Sequence, residues 1–251
     1  MRRVIYSCLI FSFIFLQCKK DKGPISDYPP NPYSHNLVAG ASAKEFLSGT
    51  NFTSLRIEIQ YMPGFQPDPV SINLLVEMLN KRLNKPSGIF VELKEIAPTL
   101  KTIFSEEDIW NIESQNRTVF TNGSQLGAYI LIISGSYYSG SALALAYKNT
   151  SVCLFGESIK YFSIGITDNA KSKIIAMLLE HEFGHLFGLV DMGTVMQVDH
   201  IDTKNGNHCE SNTCLMHHTY EANTRNFVRG FVDIPSFDAN CLADMHANGG
   251  K

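Results

Sequence analysis

The sequence HEFGHLFG at His181–Gly188 is the most informative stretch of this 251-residue chain. Residues four apart share a face of a helix, so His181 and His185 can direct their imidazoles at one ion. Glu182 lies beside them and can accept a proton from water that such an ion polarises. Gly188 can adopt the left-handed backbone that ends a helix. The motif therefore predicts a hydrolytic zinc site with Glu182 as general base.

The helix that carries this motif is expected to begin near Thr167, because Thr167, Asp168 and Asn169 favour helix N-termini. It can pack beneath a sheet through its apolar residues, Ile174, Ile175, Met177, Leu178 and Leu179. Gly184, inside the motif, costs a helix about 1 kcal/mol relative to Ala. A glycine at this point predicts that another part of the chain approaches closely.

The third zinc ligand has more than one candidate. Asp191 stands three residues after Gly188 and completes the spacing H-E-x-x-H-x-x-G-x-x-D. His208 begins a second block, H-C-x-x-x-x-C-x-M, which ends at Met216. His200 is a further candidate. Imidazole and carboxylate both bind zinc at about 2.0–2.2 Å, so the ligand chemistry alone does not decide between them.

Together these blocks resemble the metzincin clan of zinc metalloproteases, in which a methionine turn forms the floor beneath the zinc. The spacing to Asp191 resembles snapalysin, whereas the block from His208 to Met216 resembles archaemetzincins. The motif region is also similar to predicted membrane-anchored metalloproteases of Bacteroidetes-type bacteria, with their G-L-V-(D/N) pattern. Since that pattern admits asparagine at the Asp191 position, His208 is preferred as third ligand, and 191–207 is then an insertion.

This resemblance implies an α+β, metzincin-like fold with a mixed twisted sheet, an active-site helix and a loop-rich C-terminal subdomain. It implies Zn²⁺ as cofactor and a peptide or protein as substrate, and it makes Met216 the candidate Met-turn residue. His218 lies just beyond, near where astacins place a tyrosine that helps to hold the oxyanion, and is a candidate for that role. The edge strand that pairs with substrate in this clan is expected over 140–147.

Residue periodicity agrees with that order of elements. Alternating apolar and polar residues predict a strand over 55–61, and a continuous apolar run predicts a central strand over 128–133. Helical spacing over 70–83 and a capping box beginning at Ser105 predict two helices before the motif. Two further strands are expected, over 89–96 and 152–155.

The amino terminus has the composition of a bacterial export signal. Two arginines precede an apolar run from Val4 to Leu16, which is shorter than the run of about 20 residues that a membrane-spanning helix needs. Cys18 follows that run, which predicts a signal peptide over 1–17, cleaved before Cys18, and acylation of the Cys18 thiol. The proline-rich residues 18–50 are expected to form a tether. The prediction is an exported protein of the bacterial cell envelope, lipid-anchored to the outer membrane.

Residues 51–251 are enough for one zinc metalloprotease domain, with an upper subdomain over 51–188 and a lower subdomain over 189–251. The formal net charge of −3 and the absence of a basic stripe give no basis for binding nucleic acid. We expect a monomer that meets the membrane through its lipid anchor.

Four cysteines follow the anchor, and an even number in an exported domain favours disulfides. Cys209 and Cys214 are the nearest pair, which leaves Cys153 to pair with Cys241. In archaemetzincins, however, the equivalents of Cys209 and Cys214, with a C-x-x-C, hold a second, structural zinc. The alternative here is a second zinc held by Cys209, Cys214, Cys241 and either Asp244 or His246.

These features predict a zinc-dependent endopeptidase. An alternative from another class is a cell-surface binding or scaffold lipoprotein whose zinc site is structural or vestigial. A closed site of four protein ligands would favour that alternative, whereas the intact Glu182 opposes it, because a structural site needs no carboxylate there. A metal-dependent amidase that acts on cell-wall peptides is a third reading.

Overall fold

The computed structural model describes residues 33–140, 142–221 and 233–251. Their helices and strands are, in chain order, α1 (Ala43–Leu47), β1 (Ser54–Tyr61), α2 (Pro69–Arg82), β2 (Ile89–Glu95), β3 (Ile103–Phe104), α3 (Glu106–Asn116), β4 (Gln125–Ile133), β5 (Ser136–Tyr137), β6 (Ala144–Lys148), β7 (Ser151–Phe155), α4 (Gly156–Phe162), α5 (Asp168–Leu186), a 3-10 helix (His218–Tyr220) and α6 (Ala239–Ala247). Five strands form one sheet in the order β2-β1-β4-β7-β6, and β3 pairs with β5 in a second sheet.

The five-stranded sheet is mixed. β1 runs parallel to β2 and β4, β4 runs parallel to β7, and β6 pairs antiparallel with β7. The position of β6 at the sheet edge agrees with the edge strand expected over 140–147, although the strand itself begins at Ala144. β4 is buried from Leu126 to Ile133, which explains its continuous apolar run. The predicted α+β class with a mixed sheet is confirmed.

Helices cover both faces of this sheet. On one face α2 and α5 pack against apolar side chains of β1 and β4, among them Ile57 and Ile130. On the other face Ile109 of α3 and Phe104 of β3 pack against Tyr129 and Leu131 of β4. Burial on both sides is the arrangement that a strand without polar alternation, such as β4, requires.

The helix starts follow the sequence signals. The Thr167 side chain accepts a hydrogen bond from Ala170 N at the start of α5, as expected. At α3, Ser105 and Asp108 form the capping box that the sequence indicates. Asp68 caps α2 by accepting from the backbone N–H groups of the second and third helical residues.

The predicted tether over 18–50 is too long. Residues 33–50 belong to the folded domain, since Phe46 and Leu47 of α1 are fully buried in its core. The Lys85 ammonium group fixes the same segment by donating to the carbonyls of Glu45, Ser48 and Phe52 at 2.6–2.8 Å. Residues 1–32, including the predicted signal peptide and the lipidation residue Cys18, lie outside the described residues. None of the described helices combines the length and the apolar character needed to cross a bilayer.

Glu180 makes the stability of this packing depend on pH. The side chain is buried on α5 beside Lys81 and Arg82 at the end of α2, and burial raises the pKa of Glu180 to about 8. Because the pKa in the unfolded chain is near 4.5, unfolding releases a proton between these two pH values. The free energy of unfolding therefore falls as pH rises from about 4.5 to 8.

We expect Glu180→Gln to remove this component of the pH dependence. The neutral amide keeps the shape of the protonated acid, so the variant should be more stable than the wild type at pH 8 and equally stable near pH 4. Urea denaturation of both proteins at several pH values measures the difference. Parallel profiles would show that Glu180 is ionised in the folded protein at neutral pH.

Candidate active site

The two histidines of the motif lie on one face of α5. Their Nε2 atoms are 3.2 Å apart, and both side chains are buried. Ligand atoms about 2.0–2.1 Å from a tetrahedral zinc ion stand about 3.3–3.4 Å apart. The spacing between His181 and His185 therefore fits one zinc ion.

The outer ring nitrogens fix the orientation of these histidines. His181 Nδ1 lies 2.7 Å from the carbonyl oxygen of Leu215, which can only accept, so Nδ1 carries the proton and Nε2 offers its lone pair. His185 Nδ1 lies 3.0 Å from Met192 Sδ. Burial lowers the pKa of His181 to about 4 and that of His185 well below its ordinary value. Both imidazoles are thus neutral near pH 7, as metal binding requires.

The helix ends where the motif predicts. Gly188 has a φ of 72°, and its N–H donates to the carbonyl of His185, while Leu189 N donates to Gly184 O. This pair of hydrogen bonds is the Schellman ending. Beyond it, Asp191 is exposed, with a φ of 65°, and does not belong to the histidine cluster. The structure thus offers no support for Asp191 as the third ligand.

His208 reaches the pair on α5 from a hairpin-like turn of the loop that follows. Ile201 pairs antiparallel with Cys209, and Asp202 N donates to the carbonyl of His208 at 2.7 Å. The His208 ring centre lies 5.4 Å from that of His181 and 5.2 Å from that of His185. Because the insertion folds back on itself, it brings the distant histidine, rather than the adjacent aspartate, to the cluster.

A fourth residue, Glu221, joins this cluster and was missed by the sequence interpretation. The ligand atoms of His181, His185, His208 and Glu221 all lie within 4.8 Å of one another. Glu221 Oε2 accepts from His208 Nε2 at 2.7 Å. Burial by itself would raise the pKa of Glu221, but that hydrogen bond and the nearby imidazoles lower it to about 2. A single glutamate without a motif gave no signal in the sequence.

Glu182 lies between the cluster and the edge strand. Its Oε2 accepts from Ala146 N of β6 at 2.6 Å, and its buried Oε1 has no hydrogen-bond partner among the described residues. Burial, and then the charge of Glu221, raise the pKa of Glu182 well above its ordinary value. An unpartnered buried carboxylate oxygen is costly, which fits a site completed by an ion and water.

His218 takes a position beside the cluster. Its Nδ1 lies 3.3 Å from Asp202 Oδ2, and its ring centre is 6.4 Å from that of His208. The structure thus places the candidate oxyanion residue beside the Asp202 carboxylate and near His208.

Met216 lies beneath the motif helix. The side chain is fully buried, and a Cβ added at Gly184 would overlap its Sδ atom. Gly184 stands between the two histidines, so the close approach expected there is the approach of the methionine sulfur. The preceding residue, Leu215, holds His181 through its carbonyl. The turn at Leu215 and Met216 therefore supports the motif helix in two ways. The Met216 side chain packs against Gly184, and the Leu215 carbonyl orients His181.

We expect Gly184→Ala to destabilise the fold by up to about 2 kcal/mol, because overpacking a core costs about 1–3 kcal/mol and the helix propensity of Ala returns about 1 kcal/mol. The same change in a Met216→Ala background has room for the methyl group and should be neutral or stabilising. Guanidinium denaturation of the four proteins in this cycle measures the coupling. If the stability changes of Gly184→Ala and Met216→Ala are additive, the Met216 sulfur does not contact position 184 and the prediction is wrong.

The predicted disulfides are not present, since the four cysteines of the described residues are free and buried. Cys153 lies within the sheet, where it packs with Tyr129 and Phe155. The other three lie together, with Cys214 Sγ 3.6 Å from Cys241 Sγ. The pairing of Cys209 with Cys214 and of Cys153 with Cys241 is therefore wrong.

Two of these three cysteines, Cys209 and Cys241, belong to a second candidate metal site. His200, Cys209, Asp238 and Cys241 form a group of potential ligands. His200 Nδ1 lies 3.4 Å from Cys209 Sγ, and its Nε2 contacts Asp244 Oδ2 at 2.9 Å. A carboxylate on the outer nitrogen is typical of a metal-binding histidine.

The fourth position of this site differs from the expectation. Asp244 contacts His200 rather than the sulfur atoms, and His246 is exposed. The potential ligands beside Cys209 and Cys241 are therefore His200 and Asp238, and not the predicted Asp244 or His246. Hydrogen bonds from Cys209 and Cys241 lower the pKa of Cys214 to about 4, which favours a thiolate within the cluster.

Neither a protein-family model nor a curated protein sequence matches the chain. Among solved structures, the archaemetzincin of Methanopyrus kandleri matches with a TM-score of 0.53 and 13% sequence identity. The match covers 78% of this chain and 96% of the archaemetzincin chain. Identity at this level concerns the fold alone, and the chain accordingly has an archaemetzincin-like fold.

Proposed function

We propose that this protein is a zinc-dependent endopeptidase. The observation that carries the proposal is the convergence of three imidazoles, from His181, His185 and His208, beside the buried carboxylate of Glu182 at an edge strand. Zinc held by three protein ligands keeps a position for water and lowers the pKa of that water to about 7.

The three histidines would hold the ion through Nε2. The proton on His181 Nδ1 is fixed by Leu215 O, and His208 Nδ1 lies 2.8 Å from the carbonyl of Gly206. Each carbonyl therefore directs the opposite nitrogen toward the centre of the cluster.

Glu182 moves the proton. Ala146 N–H fixes Oε2, so Oε1 is the atom that takes a proton from the attacking water and passes it to the leaving amine. Burial raises the pKa of this carboxyl, which brings its basicity nearer to that of the water.

The substrate is an extended peptide. β6 has β7 on one side and no further strand of the described sheet on the other, so a peptide can add there through backbone hydrogen bonds. Addition at β6 brings a peptide carbonyl near Glu182, since Glu182 already contacts Ala146 of this strand.

The cysteine cluster serves the fold in this proposal. Three sulfur atoms with His200 or Asp238 are a ligand set suited to structural zinc.

The protein would work in the bacterial cell envelope, exported by residues 1–17 and held at the outer membrane by an acylated Cys18.

One observation favours a second function, that of a cell-surface binding lipoprotein with a structural zinc. The cluster contains four potential ligands, because Glu221 joins the three histidines. Glu182 argues for the enzyme, since a structural site gains nothing from a buried carboxylate whose Oε1 has no partner in the described part of the chain. Peptide bonds of the cell wall are a further substrate class for the same chemistry.

The test is cleavage of a complex peptide library by the purified zinc-loaded protein, beside Glu182→Gln. We expect cuts in the wild type and a rate about 10²–10⁴-fold lower in the variant, with zinc still bound. Glu180→Gln is the matched control, because Glu180 lies on the same helix but faces α2, and it should retain activity. Equal cleavage by wild type and Glu182→Gln would overturn the role of Glu182.

A further inference from the structure

Glu221 is held at the histidine cluster by two contacts. Its carboxylate accepts from His208 Nε2 at 2.7 Å, and the same oxygen lies 4.0 Å from His181 Nε2. Its backbone follows the 3-10 helix directly and donates from Glu221 N to His218 O. The position is thus fixed by the main chain as well as by the side chain.

The geometry of this carboxylate is that of a ligand. The distances of 2.7 and 4.0 Å lie on either side of the spacing of about 3.3–3.4 Å between ligand atoms on tetrahedral zinc. An ion that takes the place of the proton between His208 and Glu221 would be held by both residues. Three imidazoles and one carboxylate complete a tetrahedral set and leave no position for water.

The same residue lies against the edge where a substrate would bind. Leu143 N donates to Glu221 O at 3.3 Å, and Leu143 directly precedes β6. The chain at Glu221 thus borders the start of the edge strand. A peptide that extends along β6 past Ala144 meets this segment.

We propose that Glu221 is a fourth zinc ligand that keeps the enzyme latent, and that a peptide pairing with β6 displaces it. This inference rests on the proposed function. In the closed state Glu221 occupies the position of the reactive water, while Glu182 stays bound to Ala146. Displacement of Glu221 admits water beside Glu182 Oε1.

The experiment compares wild type, Glu221→Ala and Glu221→Gln, loaded with zinc for affinity and rate or with cobalt for spectroscopy. Azide is the probe for an open coordination position on cobalt at the histidine site. Cobalt bound at the cysteine cluster is distinguished from it by thiolate-to-cobalt absorption. We expect zinc affinity at the histidine site to fall at least about 10-fold in both variants. Azide should alter the cobalt spectrum of the variants alone, and hydrolysis at saturating zinc should rise about 10-fold.

Glu210→Gln is the matched control, because its exposed side chain lies in the same part of the chain but away from the cluster. It should behave as the wild type in all three measurements. Unchanged affinity and azide response in both Glu221 variants would overturn the proposal without touching the proposed function. Weaker zinc binding and a new azide response, with no hydrolysis by any protein, would retain Glu221 as a ligand and overturn the enzyme.

Discussion

Replacement of His208 by Ala is expected to lower zinc affinity at the histidine site by about 10²–10³-fold and to abolish peptide hydrolysis. Structural zinc sites bind with about 10–16 kcal/mol, so one ligand among three or four contributes roughly 3–4 kcal/mol. His208 places its ring within 5.4 Å of both histidines of α5. Its removal leaves an incomplete set that holds zinc poorly.

Asp191→Ala is the matched comparison, because the sequence spacing makes Asp191 the competing ligand. The residue is exposed and outside the cluster, so its removal should leave zinc content and activity unchanged. Zinc per protein, measured after dialysis against a weak chelator, separates the two variants. If Asp191→Ala loses zinc while His208→Ala keeps it, the loop must rearrange on binding the metal and the assignment of His208 is wrong.

Replacement of Cys241 by Ala is expected to remove a different zinc ion and to destabilise the fold by about 3–4 kcal/mol. Domains have only about 5–15 kcal/mol of stability, and each 1 kcal/mol corresponds to about 2–4 °C at this size. The melting temperature should therefore fall by roughly 6–16 °C. The described residues after α5 form only short helices and no strand of either sheet, so this part of the fold depends on the metal site more than the five-stranded sheet does.

Cys153→Ala is the control for this prediction. Cys153 is buried within the sheet, apart from the other three cysteines, and its replacement should leave the zinc content unchanged. Scanning calorimetry with reductant or with chelator distinguishes a metal from a disulfide. Loss of stability with reductant alone would restore the disulfide pairing that the structure does not contain.

The features that could be predicted from the sequence are local. His181 and His185 share a face because they are four residues apart on a helix, and Gly188 ends that helix as its lack of a side chain allows. The capping box at Ser105 and the apolar run of β4 are likewise properties of consecutive residues. Gly184 indicated a close approach, and the methionine that makes it was already a candidate.

The remaining features depend on how distant segments meet. The predicted tether over 18–50 is too long because a proline-rich composition indicates an extended segment. Composition does not indicate that Phe46 and Leu47 are buried in the core. The disulfide prediction failed because cysteine count and spacing do not report that Cys214 and Cys241, 27 residues apart, lie beside each other, or that Cys209 lies beside His200.

The sequence by itself determined the motif helix, the identity of its two histidines and its glutamate, and the order of strands and helices around them. Only the tertiary structure brought His208 rather than Asp191 to the two histidines of α5, added Glu221, and placed His200 beside Cys209 and Cys241. The physical reason is that helix and strand geometry fixes distances between residues close in sequence. The distance from α5 to a ligand beyond a long loop is instead set by the packing and hydrogen bonds of that loop.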